Sequence, residues 1–259
     1  MKKKKRLLST LLMVLLVLFF YAPIVYTIVF SFNDSRSLTH FSGFSLQWYE
    51  KLFHDKYMMQ SVYYTIIIAV LATLISTVLG TVTAMGLSKS NYVLKAVVDQ
   101  VNNLPIMNPE IVTAIGLLIL FSVAHVKKGF TTMLLAHIMF CTPYVILSIL
   151  PRFRAMNENM AEAAMDLGAT PWQALMKVIV PQIKPGIISG ALIAFSMSFD
   201  DFVISYFVTG NGVSNISILV YTMSKRINPS INALSVLIIM ILSILLLLGN
   251  TIHSHIRNT

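Results

Sequence analysis

Hydrophobic positions in this chain come in blocks too long and unbroken for the amphipathic helices of a water-soluble domain. Residues 7–32 carry no charge at all, and neither do residues 57–88. Crossing about 30 Å of hydrocarbon takes about 20 apolar residues at 1.5 Å each. Six stretches reach that length, over about 7–32, 60–88, 103–124, 130–150, 186–208 and 228–251. The pattern predicts an all-α membrane protein with six transmembrane helices in a single domain over 1–259. Two segments between the spans stand out by length, 33–56 and 151–184.

Composition supports lipid as the main solvent. Hydrophobic residues make up 56% of the chain, charged residues only 11%, and mean hydropathy is +0.78. A soluble surface needs about 25% charged residues to stay wetted. The 19 basic residues outnumber the 10 acidic ones. They sit mostly in short segments between apolar runs, which reads as topology, with no nucleic-acid partner. Lys2, Lys3, Lys4, Lys5 and Arg6 abut the first span and keep the N-terminus in the cytoplasm by the positive-inside rule. Six spans then place both termini inside. A cleavable signal sequence would end its apolar core after about 7–15 residues at a small-residue site. Here the run continues through Pro23 to Phe32 without an Ala-x-Ala pattern, so a retained span is expected. The single cysteine, Cys141, excludes an intramolecular disulfide and a Cys-rich metal site, and no metal ligand set is expected.

The inner segment 151–184 has the signals of a helical hairpin. Glu158 to Leu167 is rich in helix formers, and Gly168 suits the left-handed position that ends a helix. Thr170 offers an N-cap oxygen, with Pro171 at the first helical position. A second short helix, about Pro171–Val178, is expected to end before Pro181. Glu162-Ala163-Ala164, Gly168 with nine residues between it and Val178, and Val178-Ile179-Val180-Pro181 resemble the EAA loop of ABC importer permeases. Val178 and Val180 stand where that family usually has Ile and Leu, which keeps the apolar character. The resemblance implies a cytoplasmic coupling helix, with Glu162, Ala163, Ala164, Asp166, Leu167, Gly168 and Pro181 docking an ATPase subunit. No G-x-x-x-x-G-K-[ST] phosphate loop occurs, so ATP and Mg²⁺ are expected on that partner and no cofactor on this chain.

Glu110, Asp200 and Asp201 are the costly residues, at about 2.5–3.5 kcal/mol for a carboxylate at mid-bilayer. No Lys or Arg lies inside a predicted span to neutralise them. Glu110 should lie roughly 9 Å and Asp200 roughly 21 Å above the inner edge, a staggered path for a cation. Helical neighbours point about 100° apart, so Asp200 and Asp201 should not both face one lumen. An intramembrane aspartyl protease needs its two Asp on different spans, so no catalytic residue is assigned. Ser196, Ser198 and Ser205 can add hydroxyls, and Cys141 and His137 stand one helical turn apart. In the outer segment, Trp48 and Tyr49 could hold a cation on their ring faces or form an interfacial aromatic belt.

Four separated blocks extend the resemblance. Phe41 to Tyr49, Pro109-Glu110-Ile111-Val112, the EAA loop, and Ser198 to Val203 running on to Thr209-Gly210 are similar to the spermidine/putrescine importer permeases. The likeness covers nearly all residues from Tyr21 to Ala233 and is nearest to the second permease of that system. It implies a heterodimer with a second permease, two ATPase subunits and an extracytoplasmic polyamine-binding protein, in a bacterial cytoplasmic membrane. Spaced carboxylates fit a linear polycation; another cation such as ferric ion or a cationic amino acid stays open, as does a six-span channel or ion-driven carrier.

Overall fold

The computed structural model describes residues 2–37, 39–157, 159–210, 212–224, 228–241 and 243–244. Glu158, Lys225, Arg226, Arg257 and the end of the sixth predicted span, 245–251, lie outside the described residues. Helices form all the regular structure among the described residues, apart from one isolated bridge between Asn33 and Phe44. Contacts divide the chain into two units, residues 1–59 with 220–259, and residues 60–219.

The first unit holds α1 (Lys2–Ser31) and α2 (Gln47–His54). No residue of α1 from Ser9 to Tyr26 is buried within the chain, and Phe19 is 74% exposed. An apolar helix this bare belongs in lipid or against another membrane chain. The turn after it is tied by Asn33, whose amide donates to the Ser37 and His40 carbonyls while its oxygen accepts from Ser42 N–H.

The second unit contains most of α3 (Lys56–Ser88), then α4 (Tyr92–Met107), α5 (Glu110–Val123) and α6 (Phe130–Ala155). After these come α7 (Met160–Asp166), α8 (Pro171–Ala174), a π turn (Leu175–Ile179), α9 (Val180–Asp200), α10 (Val203–Val208) and α11 (Ile216–Ser224), whose last turn passes into the first unit. Its core gathers around α6, where Met133, Ala136, Phe140, Cys141, Val145 and Ile149 are buried. Packing of α9 on α6 needs glycine. A Cβ on Gly186 would lie 2.9 Å from the Ser148 carbonyl oxygen, and one on Gly190 would lie 3.1 Å from Val145 Cα.

Among the described residues, four helical runs are long and apolar enough to cross a membrane: Ser9–Ser31, Lys56–Ser88, Phe130–Ala155 and Pro171–Asp200. Glu110–Val123 and Ser230–Ile241 are shorter apolar helices. Two of the predicted spans are therefore drawn differently. The third, expected over 103–124, breaks between α4 and α5. Pro109 lacks an N–H and disfavours helical backbone at the residue before it. Asn108 is accordingly extended, at φ −84° and ψ 144°. The fifth, expected over 186–208, begins at Pro171 and stops at Asp200. The helix expected to end before Pro181 runs through it, because the chain widens just ahead of the proline. Val180 N–H bonds to the Leu175 carbonyl, five residues back, and this wider turn lets the helix pass a residue with no N–H to give.

Candidate functional site

Two places in the second unit gather the residues that the sequence singles out. One is the turn between α7 and α8. Gly168, at φ +88°, ends α7 in the left-handed conformation that glycine adopts without strain. Its N–H bonds to the Met165 carbonyl at 2.9 Å and Ala169 N–H reaches back to Ala164 at 3.1 Å, the paired closure of a Schellman cap. Thr170 then starts α8 with a reciprocal box. Its hydroxyl accepts from Gln173 N–H at 3.3 Å, and the Gln173 side-chain oxygen accepts from Thr170 N–H at 3.0 Å.

Glu162, Ala163, Asp166, Gly168 and Pro181 are exposed, and Ala164 is half-buried. Leu167 is 91% exposed and Trp172 is 68% exposed, so two large apolar side chains flank the turn with nothing of this chain over them. Trp172 was not singled out by sequence; a tryptophan one residue into a capped surface helix is the signal it carried. Beside the turn lies a cavity of about 810 Å³, lined by Glu162 and Met165 of α7, by Lys95 of α4 and Arg154 of α6, and by Lys89 just after α3. Arg154 stands 3.6 Å from Asp99 there, an exposed pair that adds little stability.

The other place is the two-residue break between α9 and α10, where Asp200 and Asp201 part company. Asp200 is exposed, and its backbone carbonyl accepts from the Ser217 hydroxyl at 3.1 Å. Asp201 is 8% exposed. Its carboxylate caps α10, accepting from Ser205 N–H at 2.7 Å and Ile204 N–H at 3.3 Å. His137 of α6 stands 3.5 Å from the same carboxylate. Its Nδ1 lies 2.6 Å from the Ser198 hydroxyl and its Nε2 lies 2.9 Å from the Ser205 hydroxyl. Asn215 adds a second tie, donating to the Asp201 carbonyl at 2.8 Å and to the Ser205 hydroxyl at 2.9 Å. Two of the three serines picked out as pathway hydroxyls are thus committed to His137, while Ser196 stays exposed. Cys141 is buried, and its thiol donates to the Ala194 carbonyl at 3.4 Å. Among the described residues, no three His, Cys, Asp or Glu side chains converge as a metal site would require.

Glu110 stands apart from this cluster. It opens α5 at the break after Pro109 and is exposed, with its negative charge at the favourable end of the helix dipole. Because α10 packs beside α5 and Gly210, beyond α10, closes on the Lys128 backbone beyond α5, the two helices run the same way. The difference between fourteen residues in α5 and six in α10 sets Glu110 roughly 12 Å behind Val203, the first residue of α10, along that shared direction, at about 1.5 Å per residue.

In the first unit, the aromatic pair has other work. Trp48 is 3% exposed, and its indole N–H donates to the Asn33 carbonyl at 2.6 Å. The cation over its ring is the chain's own Lys51, 4.4 Å from the centroid. Tyr49 shares a hydrogen bond of 2.8 Å with Ser31 and packs on Phe32. Both rings brace the turn after α1, Trp48 buried and Tyr49 half-buried. A buried indole with its N–H paired and its face covered has no surface left for a ligand.

Known proteins match most of this chain. Residues 76–258 match the family model described as binding-protein-dependent transport system inner membrane component. The chain is 36% identical over 233 residues to the spermidine/putrescine transport system permease protein PotC of Haemophilus influenzae, covering 90% of this chain and 91% of that one. It is 38% identical over 235 residues to the putrescine transport system permease protein PotI of Escherichia coli K12, covering 85% and 81%. A solved bacterial ABC transporter involved in import of the acidic polysaccharide alginate superposes with a TM-score of 0.76 over 96% of each chain, at 17% identity, a likeness of fold. The chain belongs to the family of binding-protein-dependent transport system inner membrane components.

Proposed function

We propose that this chain is one permease subunit of an ATP-binding-cassette importer that carries polyamines, spermidine and putrescine, across the bacterial cytoplasmic membrane by alternating access. The observation that carries this function is the likeness to a spermidine/putrescine permease over nine-tenths of both chains. The geometry supports it. A polyamine is a flexible chain of ammonium groups separated by methylenes. It suits carboxylates set at intervals along a path with apolar walls, and Asp200 and Glu110 are two exposed carboxylates at different heights on neighbouring elements. Asp200 meets an ammonium group at the α9–α10 break; Glu110 receives one nearer the cytoplasm.

A second, homologous permease completes the path as a heterodimer, and an extracytoplasmic polyamine-binding protein delivers the cargo. Two copies of an ATPase subunit, with ATP and Mg²⁺, supply the energy. Glu162, Asp166, Leu167 and Trp172 around Gly168 form the grip for one of them, and both termini of this chain face the cytoplasm.

The test is uptake by the assembled complex in proteoliposomes, with putrescine, spermidine, arginine and ferric ion offered in parallel. Asp200→Asn should lower polyamine uptake about tenfold or more, the scale of one lost charge-assisted contact, while the complex assembles normally. Unaltered polyamine uptake by this variant, or wild-type uptake of arginine or ferric ion in place of polyamines, would overturn the reading.

A further inference from the structure

We propose that His137 is a positioning residue for the Asp200 carboxylate, acting through Asp201. This deepens the proposed substrate path and rests on it. Adjacent carboxylates at a helix end compete for the same water, and something must decide which one turns inward. Asp201 is the one taken, and the group that takes it comes from a different helix. His137 is fully buried on α6, a helix that runs unbroken past the break.

The contacts of its ring straddle the interruption. Nδ1 holds Ser198, two residues before Asp200, and Nε2 holds Ser205, in the first turn after the break. The Asp201 carboxylate sits 3.5 Å from Nε2 and caps α10 from the same position. The two serine hydroxyls already give each ring nitrogen a partner, so the Asp201 carboxylate is a third polar neighbour beyond what a buried imidazole needs. This one joins the last turn of α9 to the first turn of α10, with the buried charge of Asp201 between them. Without the imidazole, that carboxylate keeps the Ile204 and Ser205 N–H groups but loses its neighbour on α6, and a buried carboxylate with fewer partners moves toward water. Turning Asp201 outward rotates the two-residue break and carries Asp200 away from its present direction.

Two measurements on the full complex test this. The first is polyamine taken up per ATP hydrolysed, in proteoliposomes carrying His137→Gln, Asp201→Asn, or both. His137→Gln should lower that ratio severalfold, the scale for losing one polar neighbour of a buried carboxylate. Because His137 acts through Asp201, the double variant should fall no further than the worse single one. If uptake and ATP hydrolysis fall together, in step with the amount of assembled complex, His137 is only a core residue and the proposal fails. It fails too if the two effects multiply.

The second measurement needs no transport. Cys141 is buried, so in an Asp200→Cys variant the new thiol is the exposed one on this chain. Its labelling rate with a cationic thiol reagent should change severalfold when His137→Gln is added; an unchanged rate overturns the proposal. Were wild-type complex to import no polyamine, the substrate reading would fall while the labelling rate still decided the positioning role.

Discussion

Between α7 and α10 the helical chain is interrupted twice, and the two interruptions are built in opposite ways. The turn at Gly168 is closed by neighbours in sequence: Met165, Ala164, Thr170 and Gln173 supply every bond described for it. No residue of α7 is buried. The break at Asp201 is closed by residues far away along the chain. His137 lies 61 residues from Ser198, and Asn215 lies 14 from Asp201. A turn made from local bonds can be lifted, gripped and tilted without disturbing a core. A break made from buried polar groups is fixed by the whole bundle, and it holds whatever it presents in one direction. The first construction suits a handle and the second suits a binding position.

Three substitutions probe that contrast. The largest effect belongs to the buried break. Asp201→Ala leaves the Ile204 and Ser205 N–H groups without their acceptor and takes the carboxylate from beside His137, and each buried polar group left unpaired costs about 1–3 kcal/mol. Detergent-extracted complex should drop sharply in yield and melt at lower temperature; a normal melt would mean that the break is as self-sufficient as the turn.

Next comes Gly168→Val. A β-branched residue is a strong outlier at positive φ, and the ideal Cβ meets nothing within 4 Å, so the cost is conformational and not steric crowding. The bundle should melt as before while copurified ATPase subunit and uptake fall about tenfold. Gly168→Asn, which tolerates this conformation, should keep both. Equal losses for Val and Asn would show that the missing side chain matters, not the backbone shape.

The smallest effect is expected from Thr170→Ala, which removes one cap worth about 1 kcal/mol. Uptake should fall a fewfold with no change in the melt of the bundle, and Thr170→Ser should behave as wild type.

The same contrast explains what could be read in the sequence. Gly168, Thr170 and Pro171 announce their turn because capping chemistry acts over three or four residues. Pro109 carried an equally local signal, yet an apolar run of the right length hid the break, and a span was drawn across it. Pro181 misled in the other direction. A proline usually ends a helix, but the wider turn from Leu175 to Ile179 depends on how carbonyls pair one by one, which composition does not show. His137, Ser198, Ser205 and Asn215 each look ordinary in an apolar stretch. Only packing of α6 against α9 and α10 makes them one cluster. Trp48 looked like a free aromatic in an outer loop because nothing local shows that Asn33 and Lys51 will occupy it.

The passage of Pro181 through an unbroken helix has a mechanical side. Pro171–Asp200 is a single 30-residue run, a rod about 45 Å long at 1.5 Å per residue. Trp172 is near one tip and Asp200 is the other. A tug on the handle needs no relay of side chains to arrive at the carboxylate, since both ride on the same shaft. The wide turn at Leu175–Ile179 and Pro185, which gives up a backbone bond inside the helix, are compliant places set toward the Trp172 end, so that the arm beyond them swings as a stiffer piece.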